Sequence, residues 1–311
     1  MSNYKNWLSK LGPLFGLLLL IVVITIMNPS FLTVSNILNV LRQVSISGLI
    51  AFGMTFVILT GGIDLSVGST LALTGAVAAS LLASGTDPII AMGAALILGL
   101  LLGAINGVVI TKGKVAPFIA TLATMTIYRG LTLVYTEGKP VSGLGDSLTF
   151  QMFGKGYLLG IPVPVVTTIL AFIILYFILH KTTFGRRVYA VGGNEDASKL
   201  SGINTDRVKI WVYAITGLLA SVSALILTSR LNSAQPTAGD SYELDAIAAV
   251  VLGGTSLTGG RGWIFGTLVG ALIIGVLNNG MNLIGVSSFF QQVVKGVVIL
   301  LAVLLDRKKQ A

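Results

Sequence analysis

The sequence predicts an all-α, polytopic membrane bundle of about ten transmembrane helices, with both termini inside, and three observations carry that prediction. Of the 311 residues, 54% are hydrophobic and only 10% charged, where soluble domains carry about 25% charged residues. Apolar runs recur along the whole chain, and about 20 such residues cross a bilayer. Basic residues gather in alternate connecting segments, as the positive-inside rule requires. A mean hydropathy of +0.92 argues against a water-soluble enzyme. Cysteine is absent, which excludes disulfides, thiol catalysis and cysteine metal sites. His180 is the single histidine and cannot build a metal cluster. In so apolar a chain the net charge of +9 belongs to cytoplasmic loops rather than to a nucleic-acid surface.

The first apolar run, residues 11–27, follows Lys5 and Lys10. It is long for a signal peptide and lacks a small-x-small cleavage site, so it is an uncleaved helix. The segment 31–43 is amphipathic and either lies on the outer surface or extends the second span. Further runs cover 46–60, 66–82, 88–111, 116–135, 161–180, 210–228, 246–257, 263–283 and 289–305. Run 246–257 is too short for a straight crossing; it is a half-helix or reaches back through Leu244. The whole chain, 1–311, forms one transmembrane domain, with an inner loop at 181–209.

Charge tests this count. With the N-terminus inside, the inner segments hold Lys5, Lys10, Lys112, Lys114, Lys181, Arg186, Arg187, Lys199, Arg207, Lys209, Arg261, Arg307, Lys308 and Lys309, fourteen of the twenty basic residues. An even number of crossings also places the basic C-terminal tail inside. Two connections are long enough to have work of their own. Segment 137–160 is outside and glycine-rich; segment 181–209 is inside and highly charged. A sequence echo relates Leu59-Thr-Gly-Gly-Ile-Asp-Leu-Ser-Val-Gly68 to Leu252-Gly-Gly-Thr-Ser-Leu-Thr-Gly-Gly260. Each follows an inward span and precedes an outward one. Internal duplication and the shared chemistry of Gly-rich turns explain it equally well.

Polar residues inside apolar runs are the candidates for a solute path. In Gly61-Gly62-Ile63-Asp64-Leu65-Ser66, the glycines let the chain leave helical geometry. Asp64 then either caps the next helix or marks the inner mouth of a pathway. A carboxylate at mid-membrane costs about 2.5–3.5 kcal/mol, so Asp64 faces water or N–H groups. Gly99, Gly103 and Gly107 form a smooth ridge for close helix packing, within the subunit or across a dimer, with Asn106 beside it. Thr121, Thr124, Thr126, Arg129 and Thr132 lie on the fifth span. Arg129 either snorkels outward or serves a polar path. Asn278, Asn279 and Asn282 make a polar patch on the ninth span, and Gln291 shares a helical face with Lys295. Uncharged polar groups suit a neutral, hydroxyl-rich solute.

The inner loop specifies a short helix from Glu195 to Ser201. Asn194 caps its start, Gly202 ends it, and its charges follow the helix dipole. It is either a solvated connector or a docking element. No Gly-Lys pair, at 113–114, 138–139 or 154–155, is followed by Ser or Thr, so no P-loop is present and the chain does not hydrolyse a nucleotide itself.

At Gly61–Gly68, at Gly192-Gly193-Asn194-Glu195, at Ser233-Ala-Gln-Pro-Thr237 and along Tyr242-Glu-Leu-Asp-Ala-Ile-Ala-Ala-Val-Val-Leu-Gly-Gly-Thr-Ser-Leu257, the sequence resembles the permease subunits of bacterial sugar ABC importers. The group is the one that handles ribose, xylose, arabinose and galactose, and the resemblance spans nearly the whole chain. It implies a multi-pass protein of the bacterial inner membrane that moves a monosaccharide, D-ribose first among them, by alternating access. It implies two copies of the chain, a cytoplasmic ATPase subunit holding ATP and Mg, and a periplasmic or lipid-anchored sugar-binding protein, all amid membrane lipids. No cofactor is expected on this chain. The resemblance also makes 192–203 a coupling helix, with Gly192, Gly193, Asn194, Glu195, Asp196, Ala197, Leu200 and Gly202 meeting the ATPase. The candidate pathway residues are Asp64, Ser66, Asn106, Thr121, Thr124, Arg129, Asn278 and Asn279. Three alternatives remain: an ion-coupled secondary transporter, disfavoured because every Asp and Glu falls in or near a loop; a membrane-embedded enzyme, for which no catalytic set appears; and a same-family permease for xylose, galactose, a nucleoside or a furanone signal.

Overall fold

A computed structural model describes residues 2–310, and the side chains of residues 12–304. The basic side chains of Lys5, Lys10, Arg307, Lys308 and Lys309, which contribute to the expected orientation, therefore lie outside the described residues.

Helix α1 (Ser2–Met27) buries, among its described residues, a narrow stripe of Leu17 and Ile24. A 3-10 turn, Pro29–Leu32, capped by Asn28, leads to α2 (Val34–Leu59). The amphipathic segment 31–43 thus mostly extends the second span, because neither proline nor glycine interrupts it after Pro29. Residues 48–59 of α2 are all buried, which makes it a central helix. Helices α3 (Val67–Ala83), α4 (Pro88–Thr111) and α5 (Pro117–Tyr135) follow. The start of α4 is fixed by Pro88 and by Asp87, whose carboxylate accepts the N–H groups of Ile89 and Ile90.

The glycine-rich segment after α5 is partly ordered as α6 (Leu148–Lys155) and a hairpin of β1 (Tyr157–Leu158) and β2 (Ile161–Pro162). Helix α6 seats on the next long helix but one. Gly154 lies against Ser229, whose hydroxyl accepts the Gly154 N–H and donates to the Phe150 carbonyl. After α7 (Val163–Lys181), the charged loop holds two helices rather than one. These are α8 (Thr183–Gly193) and α9 (Glu195–Leu200). Helix α8 buries Val188 and Val191 and exposes Arg186 and Arg187. After α9 comes α10 (Thr205–Leu231), the second central helix.

The short eighth run is corrected by about a turn. Helix α11 spans Tyr242–Leu252 and stops before Gly253-Gly254, where Gly254 adopts φ +86°. Eleven residues rise about 16 Å, so α11 is a half-helix, and residues 253–257 form a turn. Helices α12 (Ile264–Leu283) and α13 (Ser288–Gln310) complete the chain.

Six of these helices, α2, α4, α5, α7, α10 and α12, are long and apolar enough to cross a membrane. Shorter apolar helices lie at Gly12–Met27, Val67–Ala83 and Ser288–Leu304. Helix association in lipid depends on close van der Waals packing rather than on expelled water, and the α4–α10 contact shows it. A Cβ on Gly99, Gly103 or Gly107 would overlap the α10 backbone at Gly217, Tyr213 and Ile210 respectively. The glycine ridge therefore packs within the subunit.

Contacts between loops sort them to two ends. Lys112 pairs with Asp206 at 2.7 Å, Tyr189 donates to the Gly262 carbonyl, and Gly260 N–H donates to the Leu59 carbonyl at 2.9 Å. Turns 60–66, 112–116, 182–204 and 253–263 thus share one end, here termed the basic end. At the other end Val141 bridges Ala234, Arg42 contacts Tyr157, and Asn28 donates to the Leu283 carbonyl.

Candidate functional site

At the basic end, the chain builds a small helix and a junction of backbones. Asn194 precedes α9 with extended geometry, and its Oδ1 accepts the Ala197 N–H at 2.9 Å. Gly202, with φ +81°, ends the helix. Glu195 is held by Lys209 at 2.5 Å and Lys199 at 3.1 Å. Partial desolvation acts to raise the Glu195 carboxyl, but the two ammonium groups outweigh it and hold the group below its ordinary value. Glu195 itself raises Lys199 in turn. Ser198 is buried, while Asp196, Ala197 and Leu200 face outward, and the Leu200 side chain is 91% exposed.

The two turns of the sequence echo meet here. Gly260 bonds to the Leu59 carbonyl, and Gly259 lies against Gly61. The C-terminal end of α8 wedges between them: a Cβ on Gly192 would overlap the Leu59 carbonyl and press on Gly260 N. The neighbouring Gly193 has open space around its Cβ position. The loop bearing α9 is therefore joined backbone to backbone with the end of α2 and with the turn 253–263 between α11 and α12.

Above this junction sits a closed polar network. The Asp64 carboxylate accepts from Ser66 N–H at 2.9 Å and Ser66 Oγ at 2.7 Å. The Ser66 N–H is not one of the helix's own first-turn donors, so Asp64 fixes the turn rather than capping α3 directly. Asn106 Nδ2 donates to Ser66 Oγ at 2.8 Å, and Asn106 Oδ1 is left without a partner. Thr121 Oγ1 donates to the Ile63 carbonyl, and Thr124 Oγ1 to the Thr121 carbonyl. All five side chains are buried.

Arg129 stands apart from them. Its guanidinium donates to the carbonyls of Pro236 at 2.6 Å and Ala238 at 2.9 Å and pairs with Asp240 at 2.6 Å. It pins segment 236–240 and borders a cavity of about 520 Å3 with Ser69, Thr126, Ser241 and Glu243. Asn279 is also structural, since its amide exchanges two 2.9 Å hydrogen bonds with Asn36.

Asn278, one residue away, lies elsewhere. It lines a cavity of about 280 Å3 between α2, α10, α11, α12 and α13, with Gln43, Arg230, Tyr242, Asp245, Asn282, Gln291 and Lys295. Gln291 and Lys295 also line a second cavity of about 360 Å3, which reaches Asp240 and Ser241. The 360 Å3 cavity thus borders each of the other two near the start of α11. Asp245 and Lys295 pair at 2.9 Å, with Asp245 buried.

Sequence reasoning missed Arg230, Tyr242 and Asp245 as site residues. Asp245 lies in the first turn of α11, near a loop as expected of the carboxylates, but it is buried there. The Tyr242-Glu-Leu-Asp run was visible, but its partner Lys295 lies 50 residues away. Among the described residues, no group of His, Cys, Asp and Glu could hold a metal ion.

A bundle of apolar spans with polar cavities between its helices has the build of a multi-pass membrane protein. The family model described as branched-chain amino acid transport system / permease component matches residues 36–303, and the chain belongs to that permease family. It is 67% identical over 309 residues to the ribose import permease protein RbsC of Bacillus subtilis, covering 99% of this chain and 96% of that one. Identity to RbsC of Escherichia coli is 55%, covering 98% and 96%. The D-allose transport system permease protein AlsC of Escherichia coli is 41% identical, covering 98% and 94%. No solved structure gives a significant match.

Proposed function

We propose that this chain is the membrane permease of an ATP-driven importer and carries D-ribose across the inner membrane by alternating access. The observation that carries the reading is the 67% identity, over nearly the full length of both chains, to a protein named as a ribose import permease. The 41% identity to an allose permease marks a more distant cargo class within the same family. In this reading the chain crosses the membrane ten times with both termini in the cytoplasm, and α11 with its preceding segment counts as one crossing. Two copies of the single domain 1–311 enclose the path.

The chain supplies no catalysis. ATP and Mg bind a separate cytoplasmic ATPase subunit, and a sugar-binding protein delivers cargo from outside. Helix α9, with Gly192, Gly193, Asn194, Glu195, Asp196, Ala197, Leu200 and Gly202, docks on the ATPase. Its support is the capped helix at the basic end with Leu200 held out in solvent. The glycine junction gives docking a mechanical consequence, because motion of α8 and α9 pulls on the end of α2 and on the turn that joins α11 to α12.

The test is reconstitution. The purified chain alone should show no ATP hydrolysis. Together with its ATPase and a ribose-loaded binding protein, it should accumulate ribose in liposomes at the expense of ATP. Ribose accumulation by the chain alone, driven by an ion gradient, would defeat the reading.

A further inference from the structure

The cavity between α2, α10, α11, α12 and α13 has a hydrogen-bonding inventory that is not explained by packing. Arg230 lines it and gives no hydrogen bond or ion pair to any described residue. Arginine carries five N–H donors and no acceptor, so an unpartnered guanidinium among helices calls for an acceptor from outside the chain. Acceptors are present on other walls. Asn278 lines the cavity together with Asp245, and its own Oδ1 is buried and without a partner. Gln291 spends its amide N–H groups on Asn282 Oδ1 and the Val286 carbonyl, which leaves its carbonyl oxygen as an acceptor. Tyr242 contributes an aromatic ring to the same wall.

These features select a chemistry. An anion would find Arg230 but also three acceptor walls, at Asp245, Asn278 and Gln291. A cation would find those acceptors but also Arg230 and Lys295. A neutral polyhydroxylated ligand matches both, because each hydroxyl donates once and accepts twice. Aromatic rings also suit such ligands, offering an apolar face beside polar groups. The cavity, about 280 Å3 and adjoining one of about 360 Å3, lies at or near the lower end of small-ligand sites, about 300–1,000 Å3.

We infer that Arg230, Asn278, Asp245 and Gln291 form a sugar-contact station on the translocation path, holding a neutral monosaccharide by paired donor and acceptor contacts. The inference rests on the transport reading above and names where the cargo touches the chain. The closed Asp64–Ser66–Asn106 network then serves as scaffold, and the sugar-facing work falls to residues around α11.

The experiment measures sugar delivered per ATP hydrolysed in the reconstituted complex, for Arg230→Gln and Asn278→Ser. Arg230 holds no described partner, so its substitution removes donors without breaking a contact. Sugar delivered per ATP should fall about tenfold or more in Arg230→Gln and severalfold in Asn278→Ser. Docking of the loaded binding protein and its stimulation of ATP hydrolysis should stay within about twofold of the parent. An unchanged ratio in both variants would overturn the station, as would a loss in both that merely tracks failed assembly. Should one variant not assemble, the other decides. Uptake of a sugar phosphate in preference to the free sugar would overturn the neutral-ligand assignment. Failure of the unmodified complex to carry ribose would count against the ribose reading alone, since the ratio can be measured with whichever sugar it does carry.

Discussion

The two ends of the bundle are held together by different means. At the basic end, three chain segments meet through glycine backbones: Gly192 against Leu59 and Gly260, and Gly259 against Gly61. At the opposite end, beside the backbone bridge of Val141 and Ala234, side chains carry contacts as well: Arg129 to Asp240, Lys295 to Asp245, Asn36 to Asn279. Backbone contact leaves no rotamers to change, so the glycine junction at the basic end is stiff. Side-chain contacts can be made and broken singly around cavities. A transporter needs both: a stiff end to receive a push, and an adaptable end to pass a solute.

Gly192→Val would break this contrast most severely. A side chain there must displace the Leu59 carbonyl and Gly260, with no flexible neighbour to yield. Overpacking of this kind costs about 3 kcal/mol or more. Thermal unfolding in detergent should show a large drop in midpoint; an unchanged midpoint would mean that the junction opens freely.

At the other end, Lys295→Ala is the matching insult. It strands the buried Asp245 carboxylate, whose ion pair with Lys295 is lost. Stranding a fully buried charge costs about 3–5 kcal/mol, but Lys295 is partly exposed beside a cavity, and about 2 kcal/mol is expected after screening. The double variant Lys295→Ala/Asp245→Asn should recover part of the loss. No recovery would show that the pair does not act as a unit.

Gly193→Ala sharpens the comparison from within the basic end. Its Cβ meets open space, and alanine is the better helix former by about 0.5–1 kcal/mol. The midpoint should stay level or rise slightly. A loss comparable to that at Gly192 would mean that the junction is wider than the Gly192 contact.

The same difference governs what could be read from the sequence. Span positions, the capped α9 and the glycine ridge were legible, because apolar length, Asn194 with Gly202, and four-residue glycine spacing are local signals. Helix α8 was legible in principle, as Phe184, Val188 and Val191 repeat at helical spacing in an otherwise charged loop. Its hydrophobic face was masked by the surrounding basic residues. The echo turns were visible as similar strings, but not as mutual contacts. The cavity residues were the least legible. Arg230, Asp245 and Lys295 belong to three helices, and no local spacing tells which polar residue turns inward. Asn278 and Asn279 make the point: they are adjacent, yet one borders a cavity and the other is tied to Asn36.

The smallest effect on stability should come from α9, and it separates stiffness from communication. Ala197 and Leu200 point away from the bundle, so Ala197→Arg or Leu200→Asp removes no internal contact. The helix keeps its Asn194 cap, its Gly202 end and the Lys209 tie to Glu195. Surface substitutions of this kind change stability by about 0.5 kcal/mol at most. Both variants should therefore reach the membrane and melt like the parent. A solvent-facing leucine at the tip of a charged loop nevertheless makes sense as an anchor for a pocket on another protein, since truncating a seated anchor typically costs about 2 kcal/mol or more of binding. Replacing Leu200 by a carboxylate adds the desolvation of a charge. Recovery of the ATPase subunit in a pull-down should fall at least tenfold, and ATP-driven uptake should fall with it. If ATPase recovery and uptake both match the parent, α9 is only a connector, and the stiff end must receive its push through the 112–116 turn or the C-terminal tail instead.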